Sequence, residues 1–155
     1  MPKVVQVLLI GFVVVLVAQR LWRRWRTAQL GAKRQLATLE FPELLAQLQQ
    51  EFLQAAQATG KPRGLRWKNC EMHTGELFAT DRANGDLYAL IGTTVSFEAI
   101  EGGGMEEVEA VSNLRAATAI FIHRGGKWTT DGRVVFNLEP EQALAHYQES
   151  LQAYA

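Results

Sequence analysis

The sequence predicts an α+β protein. An amino-terminal transmembrane helix is followed by an antiparallel sheet of six to seven strands, with an amphipathic helix before the sheet and a helix after it. Three observations carry this. Residues 4–22 are almost wholly apolar, residues 41–60 repeat apolar side chains every three or four positions, and from Leu65 onward short strand-like runs are separated by tight-turn pairs. Tight turns imply antiparallel pairing, because parallel strands need long crossovers. The expected divisions are residues 1–26 as anchor with basic flank, 27–60 as linker and amphipathic helix, and 61–155 as the sheet domain with its terminal helix.

The apolar run reads VVQVLLIGFVVVLVAQRLW. At about 1.5 Å per residue it reaches about 28 Å as a helix, close to the roughly 30 Å hydrocarbon core of a bilayer. Arg20, Trp22, Arg23, Arg24, Trp25 and Arg26 follow as a basic and aromatic band, the composition of a membrane interface. A cleaved signal peptide fits less well. The one candidate cut, after Ala18, puts the large Leu16 at the minus-three position, and arginines follow at once. The expectation is therefore a retained single-pass anchor in the lipid bilayer through residues 4–22. Because the basic flank follows the span, the carboxy-terminal domain is expected in the cytoplasm.

The formal net charge of zero conceals two opposed segments. Residues 1–34 carry seven Lys/Arg and no Asp or Glu, a charge of +7, which leaves −7 for residues 35–155. The basic stretch reads as a topology signal and lipid clamp rather than a nucleic-acid patch, since it adjoins the apolar run instead of lying on a folded module. Cys70 is the single cysteine, so no internal disulfide is available.

Residues 27–38 are good helix formers apart from Gly31 and extend the anchor helix. Phe41, Leu44, Leu45, Leu48, Phe52, Ala55 and Ala56 then mark one face of a second helix, which Pro42 opens and Gly60 closes. Gln47, Gln50, Gln54 and Gln57 form the other face, expected to be solvated.

Strands follow at LRWKNCEM, ELFATD, LYALIGTTVSFEAI (bent at Gly92), LRAATAIFIHR, KWTT and RVVFNL, with VEAV at 108–111 as a candidate seventh. LRAATAIFIHR is apolar on both sides and should be a covered strand. Asn84-Gly85 is the strongest hairpin signal, both residues tolerating positive φ. Residues 139–154 repeat Ala143, Leu144, Tyr147, Leu151 and Tyr154 at helical spacing, with Pro140 in the first turn. The element count resembles pleckstrin-homology-like barrels, with no motif behind the likeness. A helix on a curved sheet fits equally.

The stretch SFEAIEGGGMEEVEA is the candidate partner-binding loop, with Glu98, Glu101, Gly102, Gly103, Gly104, Glu106 and Glu107 as its residues. Its carboxylates disfavour an anion, and it lacks the alternating Asp/Asn of calcium loops. Cys70 and His73 have Cys-x-x-His spacing, but the paired motifs of a zinc site are missing. No catalytic, metal or cofactor constellation is recognised.

The first functional expectation is a non-enzymatic module, anchored to the membrane and presenting an acidic domain to a protein partner at the cytoplasmic face. The second is a small ligand-binding or enzymatic domain with a pocket between the sheet and the carboxy-terminal helix. The third is self-association into homo-oligomers through the span or the glutamine face.

Overall fold

The computed structural model describes residues 2–59 and 64–154, with side chains for all of these except residues 2–10, Ala110 and Ser112. In chain order it contains α1 (Pro2–Thr59), β1 (Leu65–Met72), β2 (Leu77–Asp81), β3 (Leu87–Ala99), a 3-10 turn (Glu109–Ser112), β4 (Arg115–Arg124), β5 (Lys127–Thr129), β6 (Val134–Phe136), α2 (Pro140–His146) and β7 (Leu151–Ala153). This is an α+β fold with a seven-stranded antiparallel sheet and two α-helices.

The chain divides into two units, Met1–Leu36 and Ala37–Ala155. In the first, residues 12–17 are consecutive apolar side chains between 44% and 63% exposed. At 100° per residue these six positions surround the helix, so it has no polar face there. Among the described residues no helix is long and apolar enough to cross a membrane. The first part of the predicted span, residues 4–10, lies outside the residues whose side chains are described.

The second unit is built on β3 and β4, which pair along most of their length from Leu87↔His123 to Val95↔Arg115. The other edge of β3 is shared by two strands end to end. β2 pairs its first half and β1 its second half, with a register shift between Trp67 and Asn69. The outer edge of β4 is shared in the same way by β5 and β6. β7 adds to β2. The order β5-β4-β3-β2-β7 leaves its two ends unjoined, so the sheet is open and the barrel alternative is set aside. Gly92 does not end or break β3. It lies where the partner changes from β2 to β1.

One face of the sheet carries the main core. Ala37, Phe41, Leu48, Phe52 and Ala56 of α1 pack on Trp67, Cys70, Leu87, Ala89, Ile91, Val95, Phe97, Ala119, Phe121 and Trp128. The helix spacing of the first set and the two-residue alternation of the second are the periodicities each element must show to bury one side. The opposite face buries Ala79, Leu90 and Ile120, and α2 contributes Pro140 and Ala143 as its buried residues. Covered on both sides, β4 buries the consecutive residues 117–121, as its continuous apolar run predicts.

Several expectations are corrected. Pro42 does not open a helix, because it lies inside α1. Its missing N–H and ring clash cost about 3 kcal/mol in a helix interior. Burial of Ala37, Phe41, Leu48, Phe52 and Ala56 on the sheet holds the helix through it. VEAV is not a strand: Val108 and Val111 donate to the carbonyls three residues back, and the segment forms the 3-10 turn. The carboxy-terminal helix stops at His146, and Leu151–Ala153 is a strand held by the free edge of β2. Arg82 secures that strand by donating to the Gln148 carbonyl and Gln152 Oε1. In the Asp81–Asp86 hairpin only Gly85 has positive φ. Asn84 serves through its side chain, whose Oδ1 accepts from Asp86 N–H, while Asp81 Oδ1 accepts from Ala83 and Asn84. The four-residue loop needs one left-handed position, not two. The glutamine face is also more than solvated: Gln57 donates to the Trp67 carbonyl, and its neighbour Gln49 donates to the Cys70 carbonyl.

Candidate functional site

The predicted membrane-interface side chains Arg20, Trp22, Arg23, Arg24, Trp25 and Arg26 are all exposed on α1. Arg26 lies over the Trp22 ring at 5.3 Å, a cation–π contact within one helical turn.

The acidic loop between β3 and β4 holds its own structure. Gly102 and Gly104 take positive φ of 77° and 72°. Gly103 has another role: a Cβ there would stand 2.7 Å from Gly64 Cα. The Ile100 N–H donates to the Gly64 carbonyl at 2.9 Å, closing this backbone approach. Glu106 Oε1 accepts from Gly102 N–H. The N–H groups of Glu106 itself, Gly102, Met105 and Gly103 hold its carboxyl below the usual glutamate range. Glu98 is paired with Arg66 at 2.7 Å. The three glycines and two of the acids therefore have local structural work. Glu101 and Glu107 remain exposed at the surface.

Cys70 and His73 do not form a pair. Cys70 is in the core, 3.0 Å from Thr93 Oγ1, and burial raises its thiol pKa. His73 Nε2 meets Thr94 Oγ1 at 2.9 Å. Thr93 and Thr94 are adjacent on β3 and so point to opposite faces, which separates the two candidates. Among the described residues no group of three or more His, Cys, Asp or Glu is placed to hold a metal ion. The predicted seam between sheet and α2 is filled at Gly92, where an added Cβ would meet His73 Nδ1 at 3.2 Å, Glu139 Oε2 at 3.4 Å and Pro140 Cδ at 3.8 Å.

A cleft that sequence reasoning missed lies between α1 and the β4–β5 hairpin, with a volume of about 410 Å³. Glu40, Leu44, Gln47, Leu48 and Glu51 form its helical wall, at spacings that share one face of α1. His123, Gly126, Lys127, Trp128 and Thr129 form the other wall. Trp128 is fixed from behind: Nε1 donates to the Ala37 carbonyl at 3.0 Å, and its ring meets Phe41 edge-on at 4.6 Å. Gln47 Nε2 donates to Glu51 Oε1 at 2.7 Å. The one available signal was the shared helical face of Glu40, Gln47 and Glu51. Nothing local in the sequence assigns them a facing strand.

Burial pushes the His123 pKa below the ordinary imidazole value, against the weaker raising effect of the Glu40 carboxylate. An unfolded histidine titrates near about 6.5. With the folded pKa lower, the unfolded chain binds more protons between the two values. This contribution to stability is thus fully present above about pH 6.5 and is lost as pH falls toward the folded pKa. The urea midpoint of the full chain should drop between pH 7.5 and pH 5.5, and His123→Asn should flatten that drop.

An open seven-stranded antiparallel sheet with helices on both faces, bearing a cleft between its first helix and one sheet edge, defines the class of protein. Comparison with known protein families, curated proteins and solved structures finds no match.

Proposed function

We propose that this chain is a single-pass membrane-anchored, non-enzymatic module whose amino-terminal apolar segment holds an acidic α+β domain at the cytoplasmic face for contact with a protein partner. The observation that carries this reading is the run of residues 12–17, apolar on every side of α1 and at least 44% exposed, leading directly into the exposed Arg20–Trp25–Arg26 band. A protein groove covers one side of a helix. A helix apolar all round is matched by lipid.

Charge supports the orientation. Six of the seven lysines and arginines of residues 1–34 lie at or beyond the carboxy-terminal end of the apolar run, and such residues concentrate on the cytoplasmic side of a membrane. Near an anionic leaflet each contributes about 1 kcal/mol of attraction. The −7 remainder is repelled by the same surface, which favours a domain that faces partners rather than lipid. Confinement to a thin layer raises the effective concentration of any partner in that layer without new contacts.

Topology is the deciding measurement. A carboxy-terminal tag on the full chain, in sealed vesicles of known orientation, should be digested by protease added from the cytoplasmic side and protected from protease on the other. Digestion from the far side alone would reverse the orientation. Release of the tagged chain by alkaline carbonate would remove the anchor.

A further inference from the structure

We infer that the cleft between α1 and β5 is a docking groove for an extended peptide that carries basic side chains and adds to the sheet as a strand beside β5. This rests on the reading of the domain as a protein-interaction module and names the surface and the kind of partner.

The argument starts from the edge. Among the described residues β5 ends the sheet path and pairs only with β4. It is joined to β4 by Gly125-Gly126, whose φ values of 61° and 81° are those of a two-residue type I′ turn. In such a hairpin the flanking residues, Arg124 and Lys127, form a hydrogen-bonded pair. The next pair, His123↔Trp128, is then non-hydrogen-bonded. The Trp128 N–H and carbonyl therefore point away from β4, toward the open edge.

The cleft is lined by four consecutive residues of this hairpin, Gly126, Lys127, Trp128 and Thr129. Side chains alternate along a strand, so consecutive residues line one cavity through the strand's edge. The edge of β1 is treated differently: Gln57 and Gln49 of α1 donate to the Trp67 and Cys70 carbonyls and occupy it. A groove between a helix and a free strand edge is the arrangement that strand addition uses, with backbone bonds supplying affinity and side-chain pockets supplying selectivity.

Charge selects the occupant. Glu40 and Glu51 stand on the helical wall with Leu44 and Leu48 between them in sequence. Alternation turns the Lys127 side chain to the sheet face opposite Trp128, away from α1. His123 is held toward its neutral form. The helical wall thus offers two carboxylates around an apolar centre, which complements cationic side chains flanking an apolar one. An acidic segment would meet like charge.

The test uses the full chain in neutral detergent micelles and two labelled hexapeptides, one alternating valine with lysine and one alternating valine with glutamate. The lysine peptide should bind saturably and about tenfold or more tighter than the glutamate peptide. Binding should slow hydrogen exchange at the Trp128 amide. The Glu40→Lys, Glu51→Lys double variant, with an unchanged circular dichroism spectrum, should reverse the preference. Equal affinities, a preference that survives the reversal, or an unaltered Trp128 amide would each overturn the proposal. Peptide binding is blind to topology. A tag on the far side with the groove occupied defeats the cytoplasmic reading alone, and a cytoplasmic tag with no peptide bound defeats the groove alone.

Discussion

Replacing Phe41 with alanine is expected to destabilise the Ala37–Ala155 unit by about 3–5 kcal/mol, the cost of removing a fully buried phenyl ring from a core that cannot collapse around the gap. Phe41 is 0% exposed. Its ring meets Phe78 of β2 at 5.8 Å, Phe121 of β4 at 5.6 Å and Trp128 of β5 at 4.6 Å. One side chain therefore ties the helix to three strands, and its edge-to-face contacts add to the area it buries. Urea unfolding followed by tryptophan fluorescence should show the midpoint fall sharply in Phe41→Ala and far less in Phe41→Leu, which keeps most of the volume. The same truncation should loosen Trp128 and widen the cleft above it. A loss below about 1 kcal/mol would mean the helix does not depend on this ring for its seat.

Gly132→Ala is the second large effect. Gly132 has φ of 75°, and an added Cβ would stand 2.3 Å from the Ala56 nitrogen, 2.6 Å from the Ala55 carbonyl carbon and 2.7 Å from the Ala56 Cα. All three are backbone atoms of α1, so no flexible side-chain end can yield. Left-handed φ alone costs a non-glycine residue about 1–2 kcal/mol. The collision must then push the β5–β6 connection off the helix, and the total should reach about 3 kcal/mol or more. Gly126→Ala separates the two causes. Gly126 has φ of 81° with nothing within 4 Å of the added Cβ, so it should lose only the conformational part. Equal midpoints for the two variants would show that the helix is not packed on Gly132.

Much of the fold is legible in the sequence because it is written in short-range chemistry. The 41–56 periodicity marks the buried face of α1, and Phe41, Leu48, Phe52 and Ala56 are in the core. Gly125-Gly126 marks a two-residue turn because both positions need positive φ. The covered strand is announced by apolar residues on both of its faces. What is not legible is set by partners distant in the chain. Residues 147–154 match a helical stripe, yet Leu151–Ala153 pairs with β2 because that edge is open, and three residues are too few to show a strand period. Pro42 signals a helix start by local rule, and a sheet that begins at Leu65 overrides it.

The candidate sites divide in the same way. The basic and aromatic band after the apolar run is readable from composition, and its side chains are exposed on α1. The acidic loop stood out for its three glycines: Gly102 and Gly104 take positive φ, but the reason for Gly103 is a backbone contact with Gly64 that no local pattern encodes. The cleft was invisible, because Glu40 and Glu51 face Trp128 only after α1 has crossed the sheet.

The sequence by itself determined the class, the seat of the first helix's buried face, the turns and the charge asymmetry, because each depends on neighbours within a few residues. Only the tertiary structure decided which strand edges are shared, which one the helix glutamines occupy and which one opens onto a groove. Those outcomes depend on backbone hydrogen bonds between segments far apart in the chain, and backbone groups are the same in every residue.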